Sequence, residues 1–345
     1  MTIGMALAVL MGTSGFQATV PASATPQSAH PIREGASFLR EEDYRVARIG
    51  YRIGRAGAPY CPDSYPLTGL LLHHLGEYAE ADRAEATALH HLDRGPGVLA
   101  VIEGSPAAVA GLLAGDVVLA VNDRPLASSP AAATPAPDAA RRAIEATERA
   151  LEQQLRLGPA RLRILRDGVE RTISLDSLSG CPARVRLARS KQVNAFANRG
   201  YAILTTAMLG FIRSDDEIAI ILGHEIAHNV LRHPETLEAE GVPTKGFGRR
   251  LGANRARVRA TEEEADRLGL RLTWAAGYDL SVAMPYWRRL QARFGALPGF
   301  LSTHPSLGQR EKAIAAFLAE AGAAREEGDS TLPDAHPAPE AERSQ

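Results

Sequence analysis

The chain has 345 residues, a formal net charge of −1 and a hydrophobic content of 45%. That is enough apolar material for one catalytic domain of ordinary size with a smaller module beside it. The near-zero charge gives no basic footprint for nucleic acid, and 5% aromatic residues do not suggest a carbohydrate cleft or a platform for stacking bases.

The first segment reads as an export leader. Residues 3–11 are apolar but too few to span a bilayer as a helix, and Pro21-Ala22-Ser23-Ala24 ends in the small-x-small pattern of a signal-peptide cleavage site. A signal peptide over 1–24 and a linker over 25–39 are expected. No later run is long enough for a transmembrane helix, so the expected location is the periplasm or the exterior. Residues 40–66 are then the first part of the main domain and 67–179 an inserted module.

Within the module, Gly97-Val98-Leu99-Ala100-Val101 reads as a strand. Ser105-Pro106 opens a short helix, proline being tolerated in the first turn. Gly115-Asp116 turns the chain into a second strand that ends at Val121-Asn122-Asp123. This ordered set of motifs resembles bacterial PDZ domains over about residues 90–178. The resemblance implies a groove that takes an extended chain, usually a C-terminus, by adding it to a sheet edge. Gly95-Pro96-Gly97 is the expected carboxylate loop, so Gly95 and Gly97 are candidate ligand contacts. Residues 128–138 form a Pro/Ala-rich spacer. Residues 139–155 are an amphipathic helix expected to wall the groove, and 160–165 and 169–175 are strands around Arg166-Asp167-Gly168. The adjacent pairs His73-His74 and His90-His91 point their side chains apart and are expected at the surface or half-buried.

The two cysteines flank this module. If it is inserted into the main domain, Cys61 and Cys181 mark where the chain leaves and returns. A Cys61–Cys181 disulfide is expected, in keeping with an oxidising compartment.

The chemistry is concentrated in His224-Glu225-Ile226-Ala227-His228. Residues four apart on a helix share a face, so both imidazoles can reach one metal ion, and Glu225 is placed to take a proton from water beside it. Ser214-Asp215-Asp216-Glu217 is a capping box with extra acids at the positive end of the helix dipole. The helix is expected from Asp215 to about His233, where Pro234 marks a stop. A zinc site needs a third ligand. Downstream, Glu262 and Asp266 share one helical face while Glu263 and Glu264 point elsewhere, although spacing alone does not choose among the three glutamates. Glu262 as ligand with Asp266 orienting a histidine satisfies the need for outer hydrogen bonds. His233 lies too far along to join the ligands and is expected to act as a cation at the helix end.

His-Glu-Ile-Ala-His with Arg232-His233, then Glu-x-x-Ala-Asp from Glu262, then Thr303-His304-Pro305 with Arg310, resembles the family-48 metallopeptidases, a gluzincin group. Upstream, 193–197 and 200–203 resemble the strand before the active helix, and 49–53 its N-terminal helix. The gap from His228 to Glu262 holds no hydrophobic hairpin, unlike the membrane-embedded members.

The resemblance implies one Zn2+ held by His224, His228 and Glu262, with Glu225 as general base and His304 assisting. Asp266 and Arg310 would support the ligands. The fold implied is α+β: a mostly helical peptidase domain with a small sheet over 180–322, interrupted by the β-rich PDZ domain, and a disordered tail over 323–345. The strand around Tyr201 and Ile203 is expected to hold an extended polypeptide substrate as an edge strand. The function expected is a zinc endopeptidase acting on unfolded exported proteins. A PDZ adaptor or chaperone with little turnover is the rival reading, against which the retained Glu225 argues.

Overall fold

The computed structural model describes residues 38–126, 137–198, 200–243, 252–295 and 307–326. The expected leader, the tail beyond Glu326, much of the spacer and His304 lie outside them. The main domain begins with α1 (Phe38–Ala56), whose Val46, Ile49 and Ile53 follow helical spacing and are fully buried.

The chain then runs through β1 (Tyr65–Leu67), β2 (Leu70–His73), α2 (Arg83–His90), β3 (Gly97–Val101) and α3 (Pro106–Val109). It continues through β4 (Val117–Val121), β5 (Arg124–Pro125), α4 (Pro137–Leu155), β6 (Ala160–Arg166), β7 (Val169–Leu175) and β8 (Leu178–Gly180). β1 and β8 pair antiparallel, and the Cys61–Cys181 disulfide joins their bases with 5.5 Å between Cα atoms. The Cys181 N–H also donates to the Gly54 carbonyl of α1. Exit and return are therefore tied to each other and to the first helix.

Between them, β2-β3-β4-β6-β7 form one antiparallel sheet with β5 folded onto β4. Leu72, Val98, Val118, Leu162 and Ile164 bury its inner face against Leu151 and Leu155 of α4 and Ala107 of α3. β3 is flanked on both sides, so the Gly95-Pro96-Gly97 segment leads into an interior strand and has no free edge for a ligand. Its glycines serve packing instead. A Cβ on Gly97 would stand 2.5 Å from His73 Nε2, and one on Gly95 2.7 Å from the Val118 carbonyl oxygen.

The histidine pairs also depart from expectation, for His73, His74 and His90 are buried. β2 ends at His73, which meets the Tyr78 hydroxyl at 2.6 Å, while His74 caps the next turn by accepting from Gly76 N–H. Only His91 is exposed, in the left-handed region at φ 50°.

After the neck come β9 (Arg184–Ala188), β10 (Ala195–Asn198), β11 (Tyr201–Thr205) and α5 (Thr206–Leu209). α6 (Asp215–Val230), α7 (His233–Ala239), α8 (Gly252–Ala275), α9 (Ala283–Phe294) and α10 (Leu307–Glu326) complete the domain. The stretch expected as one strand is a hairpin: β10 and β11 are antiparallel, turning at Gly200 with φ +81°, and β9 joins β11 in parallel. β11 is therefore central and cannot accept a substrate strand at Tyr201 or Ile203. Among the described residues, the free edge on that side belongs to β10.

α6 packs on this sheet and, most intimately, on α8. The helices meet at Gly223 and Gly269, where a Cβ on Gly269 would lie 2.8 Å from His224 Cα and 3.0 Å from the Gly223 carbonyl carbon. Those neighbours are backbone and cannot swing aside. Gly269→Ala is expected to cost about 1–3 kcal/mol by forcing the helices apart. Because Glu262 and Asp266 ride on α8, it should also weaken metal binding. Thermal melts with and without zinc check both effects; an unchanged zinc-dependent shift would mean that the helix spacing does not set the site.

Candidate metal centre

α6 starts as its sequence requires. Ser214 Oγ accepts from Glu217 N–H at 3.3 Å, Glu217 reaches back to Arg213 N–H at 2.9 Å, and Asp215 is held by Arg45 and Arg48 at 2.7 and 2.5 Å. Its end differs from expectation. The helix stops at Val230, Arg232 turns left-handed at φ 54°, and Pro234 sits in the first turn of α7 rather than beyond a helix end. Proline suits a first helical turn because its missing N–H is not needed there.

The turn at Arg232 brings His233 back toward the site. His233 Nδ1 lies 2.9 Å from His228 Nδ1, and its Nε2 lies 3.1 Å from Glu264. It is thus no helix-end cation, and Glu264 does not point away from the centre. Helical spacing could not show this, because the helix breaks between His228 and His233.

His224, His228 and Glu262 converge. The two Nε2 atoms are 3.1 Å apart, and Glu262 oxygens lie 3.3 Å from His224 Nε2 and 3.7 Å from His228 Nε2. All three residues are buried, and one ligand atom from each lies within 4.8 Å of the others, so they could hold a metal ion. Each imidazole offers Nε2 inward and is engaged at Nδ1 from behind. His224 Nδ1 meets Asp266 at 2.8 Å, and Arg310 approaches the same carboxylate at 3.6 Å while stacking on Trp287 at 3.7 Å.

The protonation pattern follows from these partners. Burial and the adjacent His228 hold His233 below its ordinary pKa, so it is neutral. When His233 donates from Nε2 to Glu264 it can accept at Nδ1 from His228, the tautomer that would present His228 Nε2 to a metal ion. Asp266 does the same for His224. In the metal-free chain, burial opposes charge on His224, yet bonds to Asp266 and Glu262 push its pKa up to about 10. A metal ion replacing that proton would satisfy the same acidic ring.

Glu225 is 2% exposed, and its Oε1 has no hydrogen-bond partner among the described residues. An orphaned carboxylate oxygen beside three convergent donor atoms is costly unless water or metal completes the site. Two imidazole nitrogens and one carboxylate oxygen are the donor set that zinc accepts while keeping a position open. The residues present therefore fit a zinc ion.

Comparison with known proteins falls on these elements. A family model described as peptidase family M48 matches residues 159–245 and 249–317, and a PDZ domain model matches 97–136. The first match begins on β6, although pairing with β4 places β6 and β7 in the PDZ sheet; the strand pairing is the better guide there. The mitochondrial metalloendopeptidase OMA1 of Arabidopsis thaliana is 34% identical over 160 residues, covering 40% of this chain and 32% of that protein. The Schizosaccharomyces pombe protein of the same name is 29% identical over 182 residues, covering 47% and 54%. The β-barrel assembly-enhancing protease of Yersinia pestis is 28% identical over 155 residues, covering 36% and 32%. The matched stretch spans between 32% and 54% of these relatives' length. The residues that the helix pair brings together lie inside the matched stretch, where the chain is similar to peptidase family M48, and its residues 97–136 are similar to a PDZ domain.

Proposed function

We propose that the chain is a zinc-dependent endopeptidase that hydrolyses peptide bonds in unfolded or extended exported polypeptides. The observation that carries this reading is the buried convergence of His224, His228 and Glu262 beside the unpartnered Glu225 oxygen. His224 and His228 through Nε2 and Glu262 through its carboxylate would hold the ion. Zinc, when bound there, supplies Lewis acidity, polarising a carbonyl and lowering the pKa of water toward neutrality. Glu225 Oε1 accepts the proton of the attacking water and delivers it to the leaving amine. Asp266 and His233 keep the imidazoles in the tautomers that present Nε2. His304, outside the described residues, is assigned an assisting role on the family resemblance alone.

Extended substrates are favoured because β10, packed on α6, offers a free strand edge beside the site, with Phe196 half exposed. The Yersinia pestis relative is named for enhancing β-barrel assembly. An exported location agrees with the Cys61–Cys181 bridge, since disulfides persist in oxidising compartments. No helix among the described residues is long and apolar enough to cross a membrane.

The test is cleavage of a chemically unfolded protein by the chain as exported. Hydrolysis is expected to vanish on chelation and to return with one equivalent of zinc. Turnover that survives complete metal removal would reject the reading.

A further inference from the structure

α6 is apolar along most of its length, so each buried polar side chain on it calls for a partner. Its buried polar residues are Glu217, His224, Glu225, His228 and Asn229. Four of them have work already. Glu217 reaches Arg213 N–H and pairs with Arg289 at 2.6 Å, the histidines converge with Glu262, and Glu225 is the base. Asn229 is left. It is 9% exposed, and its buried Nδ2 has no hydrogen-bond partner among the described residues.

The helix itself does not need an asparagine there. Asparagine is a poorer helix former than alanine or leucine, and it is favoured at ends where its side chain bonds nearby backbone. Here the turn after α6 is closed by backbone groups, Leu231 N–H donating to the Ala227 carbonyl and Arg232 N–H to that of Asn229. Ile218, Leu222, Glu225 and Asn229 lie along one stripe at helical spacing, and the first two are fully buried. The stripe therefore turns from apolar to polar where it passes the metal centre. Residues four apart meet on a helix and side chains lean toward the preceding turn, so the Asn229 amide is carried toward the Glu225 carboxylate. An unpartnered donor thus stands one turn from an unpartnered acceptor, Glu225 Oε1.

We propose that Asn229 is a positioning residue for the general base: its Nδ2 donates to the Glu225 carboxylate and holds it aimed at the attacking water. The assignment rests on the peptidase reading. A carboxylate has about four lone-pair directions, so one bond from Asn229 leaves others for the water's proton. A neutral amide fixes the direction of the carboxylate without adding a second charge beside the metal position. The bond closes when substrate fills the site, as catalytic hydrogen bonds that are long in the free enzyme tighten in the complex. A glutamate left unheld samples several rotamers, and each departure from the reacting one lowers the productive fraction.

The experiment uses the full chain with Asn229→Leu, which keeps the approximate shape and removes the donor. It is expected to lower kcat about 10–100-fold, the value of one hydrogen bond to a charged group, with KM and zinc content unchanged. Its melting temperature should hold or rise, because an unpartnered buried amide gives way to an apolar side chain. Asn229→Gln, which keeps the donor on a longer stem, should recover most of the loss. Should Asn229→Leu fail to fold, Asn229→Ala reads the same loss against Asn229→Gln. Contact with substrate is read separately in the Glu225→Gln chain, where adding Asn229→Leu should leave the affinity for a fluorescein-labelled, chemically unfolded protein unchanged. With an active parent, an unchanged kcat in Asn229→Leu, an Asn229→Gln chain as slow as Asn229→Leu, weaker polypeptide binding, or a kcat loss that tracks lost zinc would each overturn this assignment alone. A parent that hydrolyses nothing would overturn the peptidase reading, and the assignment with it.

Discussion

Glu225→Gln is expected to retain one zinc per chain and to lose hydrolysis by about 10²–10⁴-fold, the usual contribution of a positioned general base. The substitution is nearly isosteric and Glu225 is not one of the three ligands, so His224, His228 and Glu262 should keep their 3.1–3.7 Å spacings. What changes is proton affinity. An amide cannot take a proton from water, and Oε1 has no other hydrogen-bond partner among the described residues to share that work. Metal analysis and kcat on an unfolded substrate, measured on one preparation, separate the two effects. Full activity at full zinc occupancy would remove Glu225 from the mechanism, whereas lost zinc would make it a structural residue.

Breaking the Cys61–Cys181 bridge is expected to lower stability by about 4–5 kcal/mol in the chain-entropy model. The bond closes a separation of 120 residues, and it holds the two ends of the PDZ excursion against α1. Cys181 is fully buried, so a Cys61→Ala/Cys181→Ala double variant adds a small packing loss to the entropic one. Urea denaturation of the oxidised, reduced and double-variant chains reads the difference. Reduced and oxidised forms with the same midpoint would show that the β1–β8 pairing alone holds the neck.

The metal centre was legible in the sequence because its parts are local. His224 and His228 are one helical turn apart, and Glu262 and Asp266 are one turn apart on another helix, so each pair shares a face whatever the rest of the chain does. Ser214 announced the start of α6, where its hydroxyl caps the helix. The PDZ strands were legible too, since Gly97–Val101, Val117–Val121 and Val169–Leu175 are bounded by turn residues. The family resemblance then chose Glu262 among three glutamates that spacing left equivalent.

His233 was misread because its position depends on a break in the chain. A helix continued past Val230 would carry it away from His228, while the left-handed Arg232 returns it to within 2.9 Å. Gly95 and Gly97 were misread for a related reason. A glycine run before a strand looks the same whether that strand is an edge or an interior one, and only the pairing of β3 with both β2 and β4 decides. Tyr201 fell to the same ambiguity, with β9 and β10 occupying both sides of β11.

The sequence by itself determined the start of the active helix, the ligand pairs, the flanking cysteines and the presence of two modules, because periodicity, capping and short motifs act over a few residues. The tertiary structure alone decided which strands are edges, that Gly223 and Gly269 set the spacing of the ligand helices, that His233 backs His228, and that Arg186 reaches the Leu72 carbonyl of β2. Each of these joins residues through strand order, a helix break or close packing between distant elements, and no local pattern encodes such contacts.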